Sequence, residues 1–545
     1  MAELWYKNAV FYAIDVDRFQ DSNGDGIGDF KGLTSRIDYI ASLGVTGIWL
    51  LPFYPAPNRD NGYDVKDYYD IDPDLGTLDD FIEFVHKAGE RGIRVLIDLV
   101  MNHTSDQHPW FQAARRDKKS RYYKYYIWTD APADEDMQPV FPGEENTVWT
   151  YDEVAQEYYH HTFYHYQPDL NPARDEVQEE ICKVLDFWMS FGISGIRVDA
   201  APFMTMEKGL PKSKPRDPHG ILRALHQLAE ERQPKSVMLG EANVLPKDLV
   251  KYFGDETGDE FQLLFNFMLN NYFYLAMARE DAAPLVHVMR LLPTVSEVGQ
   301  WANFLRTLDE ADMSRLTAEE RDEVFAAFAP DENMRMYGRG MRRRITPMLD
   351  GDRARMEMAN SLLFAMPGTP VMIYGDEIGL GEDLGQKGRF AVRTPMAWSS
   401  KANAGFSTAP ASKLVQEPIT KGPFSYKNVN VEDQLADKNS FLNWMKKLSA
   451  VRKSCRECGW GTWHIQDVDC KSAFVHICEY RGQSVLMVHN LGKKPCTFQL
   501  DLTNNAAHQL NSLFGEVEAT TTQKFVFDFQ VPSYGYGWFR IEREL

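Results

Sequence analysis

The stretch Arg94-Val-Leu-Ile-Asp-Leu-Val-Met-Asn-His103 decides the fold, because a short apolar run ends there in polar side chains. Such a run is typical of a parallel strand that is buried on both faces. A predicted helix runs to about Arg91 just before it, and Thr77 with Asp80 forms a capping box that opens this helix. The sequence therefore predicts a helix followed by a buried strand at residues 95–99.

Similar apolar runs recur on both sides of this stretch, with helical periodicity between them. The further predicted strands are residues 10–16, 47–51, 195–199, 237–241, 263–267, 302–305 and 371–374. Predicted helices cover residues 33–43, 177–191 and 221–232. Strand–helix alternation repeated about eight times predicts an α/β fold, a parallel (β/α)8 TIM barrel rather than an open sheet.

Two interruptions and a change of pattern predict the domain organisation. Residues 104–170 follow the third strand, are rich in aromatic side chains and are too long for a βα loop, so they predict an inserted subdomain. Residues 1–103 and 171–455 then form the barrel, in which residues 377–438 have loop composition. Short β runs with turn residues between them predict a separate C-terminal antiparallel β-sandwich domain at residues 456–545.

Charge and composition exclude several classes of partner. The 545 residues include 59 basic and 79 acidic ones, and the net charge of −20 argues against nucleic-acid binding. No run of about 18 apolar residues predicts a membrane helix, and the first residues lack the pattern of a secretory signal. Six cysteines are too few for a disulfide framework. Free thiols and a cytoplasmic location are expected, with one C-terminal disulfide left open.

Carboxylates follow four of the predicted strands. Asp98, Asp199, Glu241 and Asp309 each stand at or near a strand end, and Arg197 is two residues before Asp199 on the same face. The strands of such a barrel carry their active site at their carboxyl ends, so these side chains should meet in one cavity. Any one of them alone is more simply a loop acid or a helix cap. The four together are not so easily explained.

This set of carboxylates suits the hydrolysis or transfer of a glycoside. Clustered carboxylates repel one another, so at least one should hold a proton near neutral pH. A retaining glycosidase needs one ionised carboxylate as nucleophile and one neutral acid for the leaving oxygen. Arg197 should keep Asp199 ionised, which makes Asp199 the nucleophile and Glu241 the acid/base.

The motifs resemble those of the α-amylase family of retaining glycoside hydrolases and transglycosidases, and the resemblance covers essentially the whole chain. In order they are Asp98-Leu-Val-Met-Asn-His103, Gln167-Pro-Asp-Leu-Asn171, Gly195-Ile-Arg-Val-Asp199, Glu241-Ala-Asn243 and a degenerate Leu308-Asp309. The resemblance implies that Asp199 is the nucleophile, Glu241 the acid/base and Asp309 a third carboxylate that stabilises the transition state. It also implies that Arg197 orients Asp199 and that His103 contacts the bound sugar.

The segment Arg59-Asp-Asn-Gly-Tyr-Asp64 resembles the loop that closes the far end of the sugar site in exo-acting members. By that resemblance Tyr63 stacks on the sugar, since an aromatic ring complements the apolar face of a pyranose. Asp60 would bind the terminal hydroxyls, and Arg393 would pair with Asp60. A blocked far end implies action at a chain end rather than cutting within starch.

Within the family the chain resembles the trehalose synthases, which interconvert maltose and trehalose, in residues 106–111, 163–169, 252–254, 367–371, 374–378 and 534–539. Two departures bear on the reaction: Leu308 replaces the usual histidine, and Val244-Leu245 replaces the usual Gln-Trp. Two alternatives therefore stay open. One is an exo-acting α-glucosidase or transglucosidase with another sugar preference, and the other is a catalytically degenerate sugar-binding protein.

The loop Asp21-Ser-Asn-Gly-Asp-Gly-Ile-Gly-Asp29 has oxygen ligands at alternate positions, which suits calcium. It resembles the calcium loop of the oligosaccharide-cleaving members. The predicted ligands are Asp21, Asn23, Asp25, Ile27 and Asp29, holding a structural calcium or magnesium ion. The alternative is a polar turn that satisfies its own backbone. No organic cofactor is expected, the expected partner is a small α-glucoside, and self-association is left open.

Overall fold

A computed structural model describes residues 4–132 and 138–543. A closed barrel of eight parallel strands forms its centre, so the predicted fold class is confirmed. The strands are β1 Phe11–Ile14, β2 Gly47–Leu50, β3 Arg94–Leu99, β4 Gly195–Val198, β5 Val237–Gly240, β6 Leu263–Phe265, β7 Gln300–Phe304 and β8 Thr369–Ile373. Each strand pairs with the next along the chain, and β8 closes the barrel on β1.

Helices alternate with these strands. The longer ones are Leu78–Glu90, Asp175–Met189, Gly220–Arg232, Phe267–Arg279, Ala283–Leu291, Ala318–Phe328, Arg353–Ala365 and Phe441–Ser454. The shorter ones are Phe30–Ser35, Ile37–Ser42, Pro109–Arg116, Pro246–Leu249, Ile345–Met348, Val431–Ala436 and Glu457–Trp460. The capping box is formed as predicted: Thr77 Oγ1 accepts from the Asp80 N–H, and Asp80 Oδ2 accepts from the Thr77 N–H. The single helix predicted at 33–43 is in fact two, divided at Arg36.

Two long segments follow the carboxyl ends of β3 and β7 and meet each other. The first contains a three-stranded sheet in the order Trp128–Thr129, Glu157–His160, Trp149–Asp152. The second contains a smaller sheet in the order Ala311–Asp312, Gly340–Met341, Arg335–Met336. Phe141 stacks on Tyr337 with ring centroids 4.5 Å apart, and the Tyr164 and Tyr337 hydroxyls lie 2.9 Å apart. These contacts join the two segments over the end of the barrel that carries the predicted site.

The C-terminal region forms two antiparallel sheets around a small core of its own. Its strands are β9 Thr462–Ile465, β10 Ala473–Tyr480, β11 Gln483–Asn490, β12 Cys496–Asp501, β13 Ala507–Gly515, β14 Glu518–Gln523, β15 Val526–Val531 and β16 Tyr536–Arg543. Ser361 on helix Arg353–Ala365 joins this region to the barrel. Its hydroxyl accepts from Trp538 Nε1 at 3.0 Å and lies 2.9 Å from His489 Nε2.

The cysteines and the helix lengths complete the description. All six cysteines are free thiols; Cys455, Cys458 and Cys478 are buried, and Cys182, Cys470 and Cys496 are half-buried. No helix within residues 4–132 and 138–543 is long and apolar enough to cross a membrane.

Candidate active site

Three carboxylates from neighbouring strands meet on one buried guanidinium. Arg197 Nη1 donates to Asp98 Oδ1 and to Asp199 Oδ1, both at 2.7 Å, and Nη2 donates to Glu241 Oε2 at 2.5 Å. Asp98 lies on β3, Arg197 on β4, and Asp199 and Glu241 follow β4 and β5 directly. The Ala200 N–H donates to Glu241 Oε2 as well, at 3.2 Å. Three of the four carboxylates that were predicted to meet therefore converge at the carboxyl ends of the strands.

Burial and charge oppose each other at these carboxylates. Burial, against the charge of Arg197, raises the pKa of Glu241 to about 7. Glu241 is more exposed than Asp199: 29% of the Glu241 side chain is exposed, against 10% of the Asp199 side chain. Burial raises the pKa of Asp199 too, and Arg197 opposes that shift without cancelling it. Glu241 thus holds a proton for much of the time near neutral pH, and Arg197 favours the ionised form of Asp199.

Asp309 is bound to two arginines. Arg393 Nη2 donates to Asp309 Oδ1 at 2.8 Å, and Arg389 Nη1 lies 3.3 Å from the same oxygen. Burial alone would raise the pKa of Asp309, but the charges of Arg389 and Arg393 outweigh it and lower the pKa. Arg389 Nε also pairs with Glu310 at 2.7 Å. Asp309 is therefore ionised throughout the neutral range.

Leu308 has its backbone and its side chain in separate environments. Its carbonyl accepts from Arg393 Nε at 2.8 Å, and its side chain is 1% exposed within the barrel core. In the other departure, Leu245 is 52% exposed, whereas Val244 is half-buried and packs against the core. The bond to Arg393 uses a backbone carbonyl that any residue at this position would supply, so the replacement of histidine by leucine changes only the side chain, from an imidazole to a buried apolar group.

Tyr63 and His103 are buried in contact with each other. The Tyr63 hydroxyl donates to Asp98 Oδ2 at 3.2 Å, which places the ring beside Arg197. His103 Nε2 lies 3.1 Å from the Tyr63 carbonyl, and Asn102 Nδ2 lies 3.3 Å from His103 Nδ1. Burial lowers the pKa of His103 to about 4. His103 is therefore neutral, and both of its ring nitrogens have protein partners.

Asp60 is close to the site but lacks its expected partner. Gln167 Nε2 donates to Asp60 Oδ2 at 2.8 Å, and burial raises the pKa of Asp60 to about 6. Among the described ion pairs, Arg393 binds Asp309 and not Asp60, so the expected direct pair is absent, although the charges of Arg389 and Arg393 oppose the rise in the pKa of Asp60. Asp60, Asp309 and Arg393 lie on separate long loops, and the sequence pattern does not record how these loops pack together.

The predicted cation loop is closed by its own hydrogen bonds. Asp21 accepts from the N–H groups of Asn23, Gly24 and Gly26, and Asp25 Oδ1 accepts from Ile27 N–H. Asp29 accepts from the Gly32 N–H at the start of helix Phe30–Ser35. No three acidic, histidine or cysteine side chains of the described residues converge as metal ligands. Carboxylate oxygens have two lone pairs each, so the donors still fit a hard cation in kind.

Sequence reasoning missed two residues of this site. Arg389 contacts Asp309, and its guanidinium lies 4.9 Å from the Phe141 ring centroid. Tyr337 reaches the site from the segment between β7 and β8, where it packs on Phe141. Both lie in long segments without periodicity. The one available signal was the spacing of Arg389 and Arg393, four residues apart after the eighth strand.

Comparison with known proteins identifies the family. The model of the α-amylase catalytic domain matches residues 13–461, and that of the sucrose hydrolase-like C-terminal domain matches residues 482–540. The trehalose synthase/amylase TreS of Mycolicibacterium smegmatis is 39% identical, over 98% of this chain and 92% of its own length. An oligo-1,6-glucosidase of Bacillus cereus is 31% identical, over 92% of this chain and 93% of its own.

Solved structures agree with these matches. A variant of MutB in complex with the substrate sucrose is 25% identical and superposes with a TM-score of 0.81, over 99% of this chain and 100% of its own. An α-amylase from H. orenii is 27% identical, with a TM-score of 0.78 over 98% and 100% of the two chains. The match to the catalytic-domain model and the relatives similar over nearly the full length show that this chain belongs to the α-amylase family.

Proposed function

We propose that this chain is a retaining enzyme that acts on short α-glucosides from the non-reducing end and interconverts maltose and trehalose. The observation that carries the proposal is the contact of one guanidinium with both Asp199 and Glu241. Two carboxyls on the same guanidinium suit the short separation of about 5–5.5 Å in retaining enzymes better than the 6.5–9.5 Å of inverting ones. The similarity to trehalose synthases over nearly the whole chain supports the choice of sugar.

The first step makes a covalent sugar. Glu241 donates its proton to the glycosidic oxygen while the Asp199 carboxylate attacks the anomeric carbon, and the bond between that carbon and the oxygen breaks. Ionised Asp309, held by Arg393, stabilises the positive charge that develops on the sugar. The released glucose is the leaving group.

In the second step the covalent sugar is transferred back to the released glucose, at a different hydroxyl of that glucose. Glu241, now ionised, takes the proton of that hydroxyl as its oxygen attacks the anomeric carbon, and the bond to Asp199 breaks. The Phe141–Tyr337 contact lies where the inserted subdomain meets the segment before β8, and it restricts the escape of glucose and the entry of water. A water molecule in place of glucose gives hydrolysis.

The test is to incubate the protein with maltose, trehalose, sucrose and isomaltose and to identify the products by NMR. Trehalose formed from maltose with little free glucose is expected. Asp199→Asn should abolish this turnover while the fold is kept, as measured by circular dichroism and melting temperature. Ordinary turnover by Asp199→Asn contradicts the assignment of the nucleophile.

A second candidate function is hydrolysis by an exo-acting α-glucosidase, which the similarity to an oligo-1,6-glucosidase favours. The same experiment separates it, because glucose is then the main product from maltose or isomaltose. Tight sugar binding without any turnover would instead identify a catalytically degenerate sugar-binding protein. That alternative follows from Leu308, which replaces the usual histidine.

We also propose that the loop Asp21–Asp29 binds a structural calcium ion, because its oxygen donors alternate along the loop. Such an ion would be held by the side chains of Asp21, Asn23, Asp25 and Asp29 and the Ile27 carbonyl. Calorimetric titration of calcium into chelator-treated protein should give a saturable heat and a higher melting temperature. Asp25→Ala should remove both, and Asp331→Ala, at another exposed aspartate, should remove neither. No heat at millimolar calcium contradicts the proposal.

A cytoplasmic location is proposed as well, and the six free thiols support it. Fractionation of cells that produce the protein, with thiol labelling of each fraction, tests it.

A further inference from the structure

A fifth carboxylate follows a barrel strand but contacts none of the catalytic residues. Asp15 comes directly after β1 and is 3% exposed. Its Oδ2 accepts from Asn61 Nδ2 at 3.0 Å and lies 3.5 Å from Arg18 Nη1. Neither the nucleophile nor the acid/base is within its hydrogen-bonding partners. Asp15 therefore needs an explanation outside the chemical step.

Asn61 lies between two residues of the proposed sugar site in the sequence. Asp60 precedes it, and Tyr63 is two residues after it, with the Tyr63 N–H donating to the Asp60 carbonyl at 3.0 Å. Asn61 has a left-handed backbone conformation, with φ of 46°, and Gly62 follows with φ of 88°. A Cβ on Gly62 would lie 2.7 Å from the Pro52 carbonyl oxygen, so the turn leaves no room for displacement on that side.

Both polar atoms of the Asn61 side chain are in use. Its amide nitrogen donates to Asp15, and its oxygen accepts from Arg18 Nη1 at 2.8 Å. Asn61 is 7% exposed and Arg18 3%, so water does not replace these partners readily. Phe390 packs against the Arg18 guanidinium at 5.1 Å from its ring centroid. The contact between Asp15 and Asn61 thus joins the loop to a strand of the closed barrel, which is a rigid part of the molecule.

The rest of the loop is held by bonds of its own and by contacts to β3 and to the inserted subdomain. Asp64 is fully buried and accepts from the N–H groups of Arg59 and Asp60, at 3.1 and 3.2 Å. These bonds fix the turn but do not attach it to the barrel. Tyr63 attaches the turn to the end of β3 through Asp98 and His103. Asn61 adds a separate link from the turn to the residues that follow β1.

We propose that Asp15 is a positioning residue that holds, through Asn61, the loop bearing Asp60 and Tyr63 in place against the terminal sugar. The inference rests on the proposed function for the identity of the sugar, but the attachment of the loop is a property of the protein alone. Because the loop contacts hydroxyls that do not react, its displacement should weaken binding of ground state and transition state alike, and so raise KM more than it lowers kcat.

Burial, followed by the neighbouring charge of Asp17, raises the pKa of Asp15, and Arg18 and Arg393 oppose the shift. A protonated carboxyl and an amide have the same shape, and both can accept from Asn61. Asp15→Asn should therefore keep the contact, whereas Asp15→Ala removes it. Asp15→Asn is therefore the conservative variant that should retain the function that Asp15→Ala loses.

The test compares Asp15→Ala, Asn61→Ala, the double variant and Asp15→Asn with maltose as substrate. Asp15→Ala and Asn61→Ala should each raise KM about fivefold to thirtyfold, with kcat changed by less than about threefold. The double variant should be no worse than the worse single one, because both remove the same contact. Asp15→Asn should stay close to the wild type.

Asn58→Ala is the matched control. Asn58 lies in the same loop with φ of 58°, so alanine there meets the same backbone cost as at Asn61. Its side chain is exposed and points to Asp72 at 3.4 Å instead of to β1. Asn58→Ala should therefore leave KM within about twofold of the wild type.

Hydrogen exchange of the peptide containing residues 58–64 provides a readout that needs no activity. Its amides should exchange faster in Asp15→Ala and Asn61→Ala than in Asn58→Ala and Asp15→Asn. Equal exchange and equal KM for Asn61→Ala and Asn58→Ala overturn the inference, and so do multiplicative effects in the double variant. If Asp15→Ala does not fold, the comparison of Asn61→Ala with Asn58→Ala decides. If maltose is not a substrate, the proposed function fails and the exchange data still decide.

Discussion

At the scale of single residues, Arg197 influences which carboxyls of the site are protonated. It contacts Asp98, Asp199 and Glu241 at once; Asp98 and Asp199 are buried and Glu241 is half-buried, all at strand ends. One positive charge cannot compensate three negative ones in a low dielectric, so part of the negative charge must be neutralised by protons. Glu241, the most open of the three, has its pKa raised to about 7.

A bell-shaped dependence of kcat/KM on pH follows from these two groups. Glu241 must be protonated, so activity should fall as pH rises through about 7. Asp199 must be ionised, so activity should fall again as pH drops through its raised pKa. Glu241→Gln, assayed with an aryl α-glucoside whose leaving group needs no acid, should lose the alkaline limb of its glycosylation rate. An unchanged alkaline limb contradicts the assignment.

Arg389 offers a second prediction at this scale. Arg389→Leu leaves Asp309 with one arginine and Glu310 without its partner, so the pKa of Asp309 should rise. Loss of charge-assisted hydrogen bonds worth about 1.5–3 kcal/mol should lower kcat/KM by about tenfold to a hundredfold. Steady-state kinetics measure this, and Arg389→Lys, which keeps the charge, should lose less. A loss below about threefold in Arg389→Leu would show that Arg393 suffices.

The site residues differ in how well the local sequence predicts their positions and partners. Asp98, Arg197, Asp199 and Glu241 were predictable because strand ends converge by the geometry of the barrel. The partner of Arg393 was not, because it depends on how two long loops pack, and no periodicity records that.

At the scale of elements, local signals were strong where burial or capping fixes the conformation. The strand predicted at 95–99 lies within the observed Arg94–Leu99, because apolar runs with two buried faces have few alternatives. β7 starts at Gln300, earlier than predicted, because its first residue is polar yet buried. The break at Arg36 and the sheet at 311–341 left no comparable signal.

The capping boxes give a prediction for stability. Thr77→Ala should lower the free energy of unfolding by about 0.5–2 kcal/mol, because the Asp80 N–H loses its acceptor at the start of helix Leu78–Glu90. KM and kcat should not change, since the helix start is exposed and belongs to no part of the site. Thr317→Ala, in the capping box of helix Ala318–Phe328, is the matched variant and should behave alike. Denaturant titration measures both; an altered KM would contradict this separation.

At the scale of the whole molecule, buried histidines link the C-terminal sheets to the barrel. His476 on β10 has its Nε2 3.0 Å from the Ala365 carbonyl at the end of helix Arg353–Ala365. Burial lowers the pKa of His476 to about 4. His489 on β11 contacts Ser361 of the same helix, and burial lowers its pKa well below the usual value. Both imidazoles are therefore neutral in the folded protein.

This linkage predicts acid sensitivity of the assembled domains. An unfolded histidine has a pKa of about 6.5, so the unfolded chain takes up protons that the folded one excludes. For His476, stability should be fully present above about pH 6.5 and lost as pH falls toward about 4, by about 1.4 kcal/mol per pH unit. His489 should add to this loss in the same direction. His476→Gln should reduce this slope in the free energy of unfolding. His508→Gln, at an exposed position on β13, should leave it unchanged; equal slopes in both would contradict the role of burial.

The guanidinium shared by Asp199 and Glu241 has a consequence for inhibitors. A cationic iminosugar placed in the sugar site adds a second positive charge beside carboxyls that one arginine only partly compensates. Its arrival should expel the proton of Glu241, whose pKa is about 7. Calorimetric heats of association below neutrality should then depend on the ionisation enthalpy of the buffer, and affinity should increase as the solution is made more alkaline, until the iminosugar itself becomes neutral.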